Sequence, residues 1–173
     1  MESISQLHAD GNSLSDLDFS ILKLLQEDGR ISFTEIAKKL NVSISNVRTR
    51  VTRLIEDKTI QIIGRVNTEK IGFHSYVQIK ICIRPAKVIQ QVVDQLLKLK
   101  EASFIAITSG EFDIEVDLMC RDNDHLLHVL NEEIAKIEGI DYTRTNMYLK
   151  VLKYAQPDLN LVYKEAVNKY ELT

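Results

Sequence analysis

Three serines in the first third of the chain share one setting. Ser15, Ser32 and Ser43 each follow an apolar residue that has an apolar partner five positions on: Leu14/Phe19, Ile31/Ile36 and Val42/Val47. This is the spacing of the hydrophobic staple, in which two apolar side chains clasp across a capping residue and fix the angle at which the chain enters a helix. Helical periods follow each cap. Leu17, Ile21, Leu24 and Leu25 run until Asp28-Gly29 stops them; Phe33, Ile36, Ala37 and Leu40 form a second stripe; Val47, Val51, Leu54 and Ile55 form a third. Ser32 and Glu35 also have capping-box spacing. Only Asn41-Val42 separates the second and third helices, and Asn is the non-glycine residue that best tolerates the left-handed backbone of so tight a corner. Three short helices with set entry angles and one tight corner predict a helix-turn-helix.

From His74 the period changes from 3.6 to 2. Val77, Ile79, Ile81 and Ile83 alternate with Tyr76, Gln78, Lys80, Cys82 and Arg84 up to Pro85, the pattern of a half-buried strand. A helix over 87–100, strands over 103–109 and 112–120 joined through Gly110-Glu111, a helix over 124–138 closed by Gly139, and a strand over 142–153 complete the order βαββαβ. That order is the ferredoxin-like split βαβ, with both helices on one sheet face. We assign Val77, Ile79, Ile81, Phe112, Ile114 and Val116 to the helix-covered face. The other face mixes Tyr76, Cys82, Met119, Tyr148 and Leu152 with Lys80, Glu115, Asp117 and Lys150. A second copy of the chain closing sheet on sheet would cover it, with opposite charges paired across strands.

Charge adds a partner to this outline. The net charge is −3, yet residues 30–70 hold nine Lys and Arg against four acids, while residues 1–29 and 71–173 are each acidic. A basic block between acidic ones is the footprint of a local polyanion contact. The second helix of a helix-turn-helix enters the DNA major groove by its N-terminal turns. Here that helix spans 43–57, and its apolar stripe leaves Ser43, Ser45, Asn46, Arg48, Thr49, Arg50 and Arg53 as the DNA-binding set. Asn pairs bidentately with adenine, Arg with guanine, and Ser or Thr with either. A solvated helix face carries the same residue types, so it is the corner, the staples and the charge together that favour DNA. The β-branched run over 59–67 follows as a wing or linker strand, in which Arg65 touches either a phosphate or solvent.

Several stretches then resemble one family, the Lrp/AsnC (leucine-responsive, feast/famine) transcription regulators. They are Leu17-Asp18 with Ile21-Leu22 and the run from Leu25-Gln26-Glu27-Asp28-Gly29 to Arg30-Ile31-Ser32; Arg50-Val51 with Arg53-Leu54; Ser109-Gly110-Glu111-Phe112-Asp113; and Gly139-Ile140 with Thr145. The resemblance covers about residues 14–154. It implies an α+β chain with an N-terminal winged helix-turn-helix and a C-terminal ferredoxin-like domain of the RAM or ACT-like kind. It implies partners too: double-stranded DNA, a homodimer assembling to an octamer, and a small-molecule effector, an amino acid, bound between dimers. Carried over by position, the effector-binding residues would be Ser109, Gly110, Glu111, Asp113 and Thr145. Glu111 stands where the family usually has Asp, and Ile114 where an aromatic is frequent. A glycine lets a carboxylate approach backbone amides and an acid can hold an ammonium group, but a plain tight turn between strands uses the same residues.

The expected layout is therefore an arm over 1–13, the helix-turn-helix over 14–58, the wing or linker strand over 59–73, the effector and oligomerisation domain over 74–154, and a helical extension over 155–173. In that extension Leu159, Val162, Tyr163, Ala166, Val167 and Tyr170 form a stripe suited to docking on the protein's own surface or a neighbouring subunit. The chain lacks any apolar run near the ~20 residues of a spanning helix, and residues 1–10 lack the basic start and apolar stretch of a signal peptide. A cytoplasmic protein that makes no membrane contact is expected. No catalytic residues, metal or cofactor are expected either. His125 and His128 with Glu132 make a thin metal face lacking a second shell, and no basic cluster or His adjoins Cys82 or Cys120 in sequence to activate a thiol. The competing reading is an architectural DNA-binding protein with little sequence preference and no effector.

Overall fold

The computed structural model describes residues 14–162. The arm expected over 1–13, and Tyr163, Ala166, Val167 and Tyr170 of the tail stripe, lie outside the described residues. The chain divides into two compact units: residues up to Gly64 together with those from Ala155 on, and Arg65–Tyr154.

In the first unit the serine caps act as the sequence dictates. Helices α1 (Asp16–Glu27), α2 (Phe33–Leu40) and α3 (Ile44–Glu56) start at Ser15, Ser32 and Ser43, whose side chains accept from the amides of Asp18, Glu35 and Asn46. Ser32 and Glu35 complete their capping box, and so do Ser15 and Asp18. Asn41 takes the left-handed conformation, φ 51° and ψ 48°. That turn sets the Val42 amide 3.0 Å from the Ala37 carbonyl, so the corner satisfies the end of α2 while reversing the chain. Ile21, Ile36, Val47, Val51 and Leu54 are fully shut off from water and form the core of this unit, with Ile60 and Leu159 packed against it.

The strand expected over 59–67 does not form. The Ile60 amide bonds back to the Leu54 carbonyl, and residues 61–67 then run without regular structure, leaving Ile62, Ile63 and Val66 exposed. β-branched residues favour a pleated surface only where a neighbouring strand supplies the ladder, and among the described residues no strand pairs with this run. Residues 155–158 are also irregular, and a 3-10 turn covers Leu159–Leu161. Leu159 reaches the helical core, and the Gln26 side-chain amide donates to the Pro157 carbonyl at 3.1 Å.

The second unit is a four-stranded antiparallel sheet, β1 (Ser75–Ile83), β2 (Ala102–Ile107), β3 (Ile114–Cys120) and β4 (Ile140–Met147), in the order β2-β3-β1-β4. With α4 (Ile89–Leu96) between β1 and β2 and α5 (Asn123–His128) after β3, this is the split βαβ arrangement. Val77, Ile79, Ile81, Ile114, Val116 and Leu118 share one face, where Val92, Leu96, Leu126, Val129 and Ile134 bury them.

Both helices are shorter than the periodicity suggested. A 3-10 turn over Ala86–Val88 precedes α4, and α5 widens into a π-helical stretch over Val129–Ile134 that carries the same apolar stripe onward. β4 also stops early. Its register pairs Met147 with Val77, and the Tyr148 amide then donates to the Tyr76 carbonyl at 2.9 Å. β1 begins at Ser75, so the chain runs out of partner there, and Lys150 and Leu152 lie beyond the sheet. Phe112 is a further correction. It lies in the connection before β3, where strand parity does not hold, and packs with Tyr142 and Arg144 instead of the helices.

Candidate nucleic-acid interface

The apolar stripe of α3 turns Val47, Val51 and Leu54 into the core. Ser43, Ser45, Arg48, Thr49 and Thr52 are left exposed, one continuous strip at helical spacing along its outer side. Thr52 extends the expected set by one turn. The i+7 step from Ser45 was its only sequence signal.

The structure divides the arginines of α3. Arg48 is exposed. Arg50 is drawn sideways: its Nη1 donates to Asp18 Oδ1 and to Ser15 Oγ, both at 2.9 Å, and its Nε donates to Asn46 Oδ1 at 2.9 Å. Nη2 of Arg53 lies 2.9 Å from Asp18 Oδ2. Asp18 is 1% exposed and is the hub of this network. Sequence reading singled out the arginines and not their acid, although Ser15 and Asp18 have capping-box spacing.

Burial alone would raise the Asp18 carboxyl. The Ser15 amide and hydroxyl and the two guanidiniums outweigh it and hold its pKa down at about 2, against an ordinary 3.8. A carboxyl depressed by folding stabilises the native state above its unfolded pKa and loses that contribution as protons are taken up. The helical unit is therefore expected to lose on the order of 2 kcal/mol between about pH 4 and pH 2. Asp18→Asn should flatten that part of the profile in acid titrations followed by hydrogen exchange of α1–α3.

The expected effector residues fall in two places. Ser109, Gly110, Glu111 and Asp113 lie in the β2–β3 connection, closed by the Thr108 amide donating to the Asp113 carbonyl at 2.9 Å. Gly110 takes a φ of 138° with no atom within 4 Å of where a side chain would start, so backbone is open to approach there. Asp113 braces the neighbouring strand, its Oδ2 accepting from the Ile83 amide at 2.7 Å. Thr145 is not brought to this group. It pairs with Ile79 and so shares the parity of the helix-covered face, whereas the four other residues lie in the connection outside the strands. Arg144, one residue earlier, does reach across, with its guanidinium 5.2 Å from the centre of the Phe112 ring and Nη2 3.5 Å from Glu111 Oε1. Its signal in the sequence was parity, since Arg144 stands opposite Lys80.

The open sheet face carries its own network. Asp117 accepts from the hydroxyls of Tyr76 and Tyr148 at 3.1 Å each, the two rings lie 4.5 Å apart, and Gln78 and Lys80 both reach Glu115. Burial and then the Asp117 charge push the Tyr76 hydroxyl up to about 12, so it stays a donor. Elsewhere, His125 Nε2 lies 3.1 Å from Glu101 Oε1, and its Nδ1 accepts from the Arg121 amide. Burial and the charges of Glu101 and Asp122 push the Cys120 thiol up to about 11, the opposite of an activated nucleophile. Among the described residues no three His, Cys, Asp or Glu side chains gather as metal ligands would, and no helix is long and apolar enough to cross a membrane.

A capped helix-turn-helix with an exposed polar strip on its second helix, followed by a ferredoxin-like unit, defines a DNA-binding regulator of the two-unit kind. Comparison with known proteins agrees. Residues 14–61 match the family model of the winged helix-turn-helix DNA-binding domain, and residues 75–158 that of the Lrp/AsnC ligand binding domain. An HTH-type transcriptional regulator of Pyrococcus abyssi is 40% identical over 85% of this chain and 93% of its own. The regulator LrpA of Pyrococcus horikoshii is 33% identical over 81% of this chain and 99% of its own. Among solved structures, AsnC of Escherichia coli superposes with a TM-score of 0.78 at 27% identity, over 84% of this chain and 99% of that one. A Neisseria meningitidis transcriptional regulator in complex with L-Met has the same fold, with a TM-score of 0.79 at 22% identity over 87% of this chain and 99% of that one. The chain belongs to the Lrp/AsnC family of transcription regulators, which are DNA-binding proteins and not enzymes.

Proposed function

We propose that this regulator binds preferred DNA sequences through the outer strip of α3 and changes its affinity when a small zwitterion, an amino acid, binds its second unit. The carrying observation is the strip itself: Ser43, Ser45, Arg48, Thr49 and Thr52 are exposed on a helix whose other side is locked by caps and core. Ser, Thr and Arg are types that read base edges. Fluorescence anisotropy of the whole chain on DNA from upstream of its own gene, against a shuffled duplex, tests the reading. A preference of about a hundredfold or more that survives added salt supports it, since specific binding usually exceeds non-specific by about 10³ or more. Equal binding to both duplexes that collapses with salt would mark an architectural protein instead. Arg48→Ala is expected to weaken binding to the preferred duplex by roughly 10- to 100-fold, the range of one good base or phosphate contact, with the fold unchanged by circular dichroism.

For the effector, the turn over 109–113 supplies open backbone at Gly110, and Glu111 with Arg144 presents both signs of charge, each more than half exposed and only loosely paired. An amino acid's ammonium and carboxylate suit such a pair. The Neisseria protein of the same fold forms a complex with L-Met, a ligand of this chemical class. Thr145 would join Ser109, Gly110, Glu111 and Asp113 from a second subunit, which places the ligand between dimers. Amino acids added singly to the anisotropy assay identify the effector, and Arg144→Ala should abolish the response while leaving basal DNA binding intact.

The uncovered sheet face, with Tyr76, Tyr148 and Asp117, is read as the homodimer surface, and an octamer of such dimers as the working assembly in the cytoplasm. Phe104 shares this face by register with Asp117 and is 52% exposed. Phe104→Glu would set a carboxylate beside Asp117 and is expected to halve the particle mass measured by light scattering, or reduce it further.

A further inference from the structure

Arg50 and Arg53 stand on the helix read above as the DNA reader, and the structure turns both of them inward. Arg50 is fixed at three points, on Asp18, Ser15 and Asn46. Nε and Nη2 of Arg53 are shut off from solvent. Both guanidiniums converge on the two oxygens of one carboxylate that is almost wholly buried. We propose that Asp18 is a specificity-determining positioning residue, holding Arg50 and Arg53 against α1 so that two of the three α3 arginines are withheld from DNA phosphates.

The chemistry runs in one direction. Phosphate contacts add affinity for every sequence and carry no sequence information. A guanidinium that leaves Asp18 for a phosphate gives up a 2.9 Å contact to an almost wholly buried carboxylate and leaves that carboxylate with one cationic partner instead of two, which weakens the compensation of a buried charge. A charge-assisted hydrogen bond from Arg50 and an ion pair from Arg53, each at 2.9 Å, hold the two arginines where they are. What remains outermost on α3 is one full positive charge, Arg48, among hydroxyls. Such a surface gains less from the DNA backbone and depends more on base edges. Asp18 touches no DNA in this scheme and acts by where it keeps the two guanidiniums.

This inference rests on the DNA-binding reading, and salt dependence separates the two. The logarithm of affinity falls with the logarithm of salt by about 0.9 per phosphate contact. With the full-length chain and the shuffled duplex, Arg50→Gln and Arg53→Gln are expected to leave the wild-type slope unchanged, whereas Arg48→Gln lowers it by up to about 0.9. Asp18→Asn, where it folds, should steepen the slope by about 0.9 to 1.8 and narrow the preference for the upstream duplex. A slope lowered by Arg50→Gln or Arg53→Gln as much as by Arg48→Gln would overturn the proposal alone, because the held arginines would then be touching phosphates. A wild-type chain that binds neither duplex would remove the DNA-binding reading, and the proposal with it.

Discussion

Replacing Asp18 by alanine is expected to cost the helical unit about 3–5 kcal/mol, the range for removing one partner of a buried ion pair. Four groups lose a partner at once: the Ser15 amide and hydroxyl and the guanidiniums of Arg50 and Arg53. The Ser15 amide is half of the capping box that starts α1, so the first turn of that helix should fray together with the α1–α3 contact. Hydrogen exchange read by mass spectrometry reports this locally. Peptides from α1–α3 should exchange orders of magnitude faster, while those from β1 and β3, which belong to the separate core of the second unit, keep wild-type protection. Protection unchanged in α1–α3 would show that the network contributes little to stability.

Gly139→Ala is the second large effect, and it falls on the other unit. Gly139 ends the α5 region with a φ of +100°, a conformation that strains any residue with a side chain. A Cβ there would stand 2.5 Å from Cγ2 of Val88 and 3.4 Å from Cγ2 of the fully buried Val92. Relief requires Val88, in the 3-10 turn before α4, to move, because the Gly139 carbonyl is held by the Arg84 amide at 2.9 Å and Ile140 opens β4 on the next residue. Backbone strain and overpacking each cost roughly 1–3 kcal/mol. A combined loss of about 2–6 kcal/mol is expected in denaturant unfolding of the second unit. Exchange in α1–α3 should stay at its wild-type rate.

The parts that sequence reveals are those governed by neighbours along the chain. The three serine caps, the left-handed Asn41 and the alternation in β1 all depend on residues within five positions of one another, so periodicity and turn chemistry find them. The miscast parts are governed by distant partners. Residues up to 153 suit a strand, but the length of β4 is set by where β1 begins. The run over 59–67 has strand composition and no strand partner among the described residues. Phe112 follows its turn and not the parity of β3. Arg50 has a good residue type for DNA, yet what decides its direction is Asp18, which lies 32 positions away and is itself hidden in a helix start. Candidate sites assembled from residue types thus include side chains that the tertiary structure has already engaged.

The contact of Leu159 with the helical core has a consequence for the order in which the protein is made. Residues 65–154 leave the ribosome between α3 and Leu159, so the hydrophobic interior of the helix-turn-helix is not complete until the second unit has emerged as well. Domains generally fold in turn from the N-terminus during synthesis, but this one is expected to remain unfinished until its successor has been translated. A nascent chain stalled before Leu159 should therefore expose its helices to protease more readily than the released protein does.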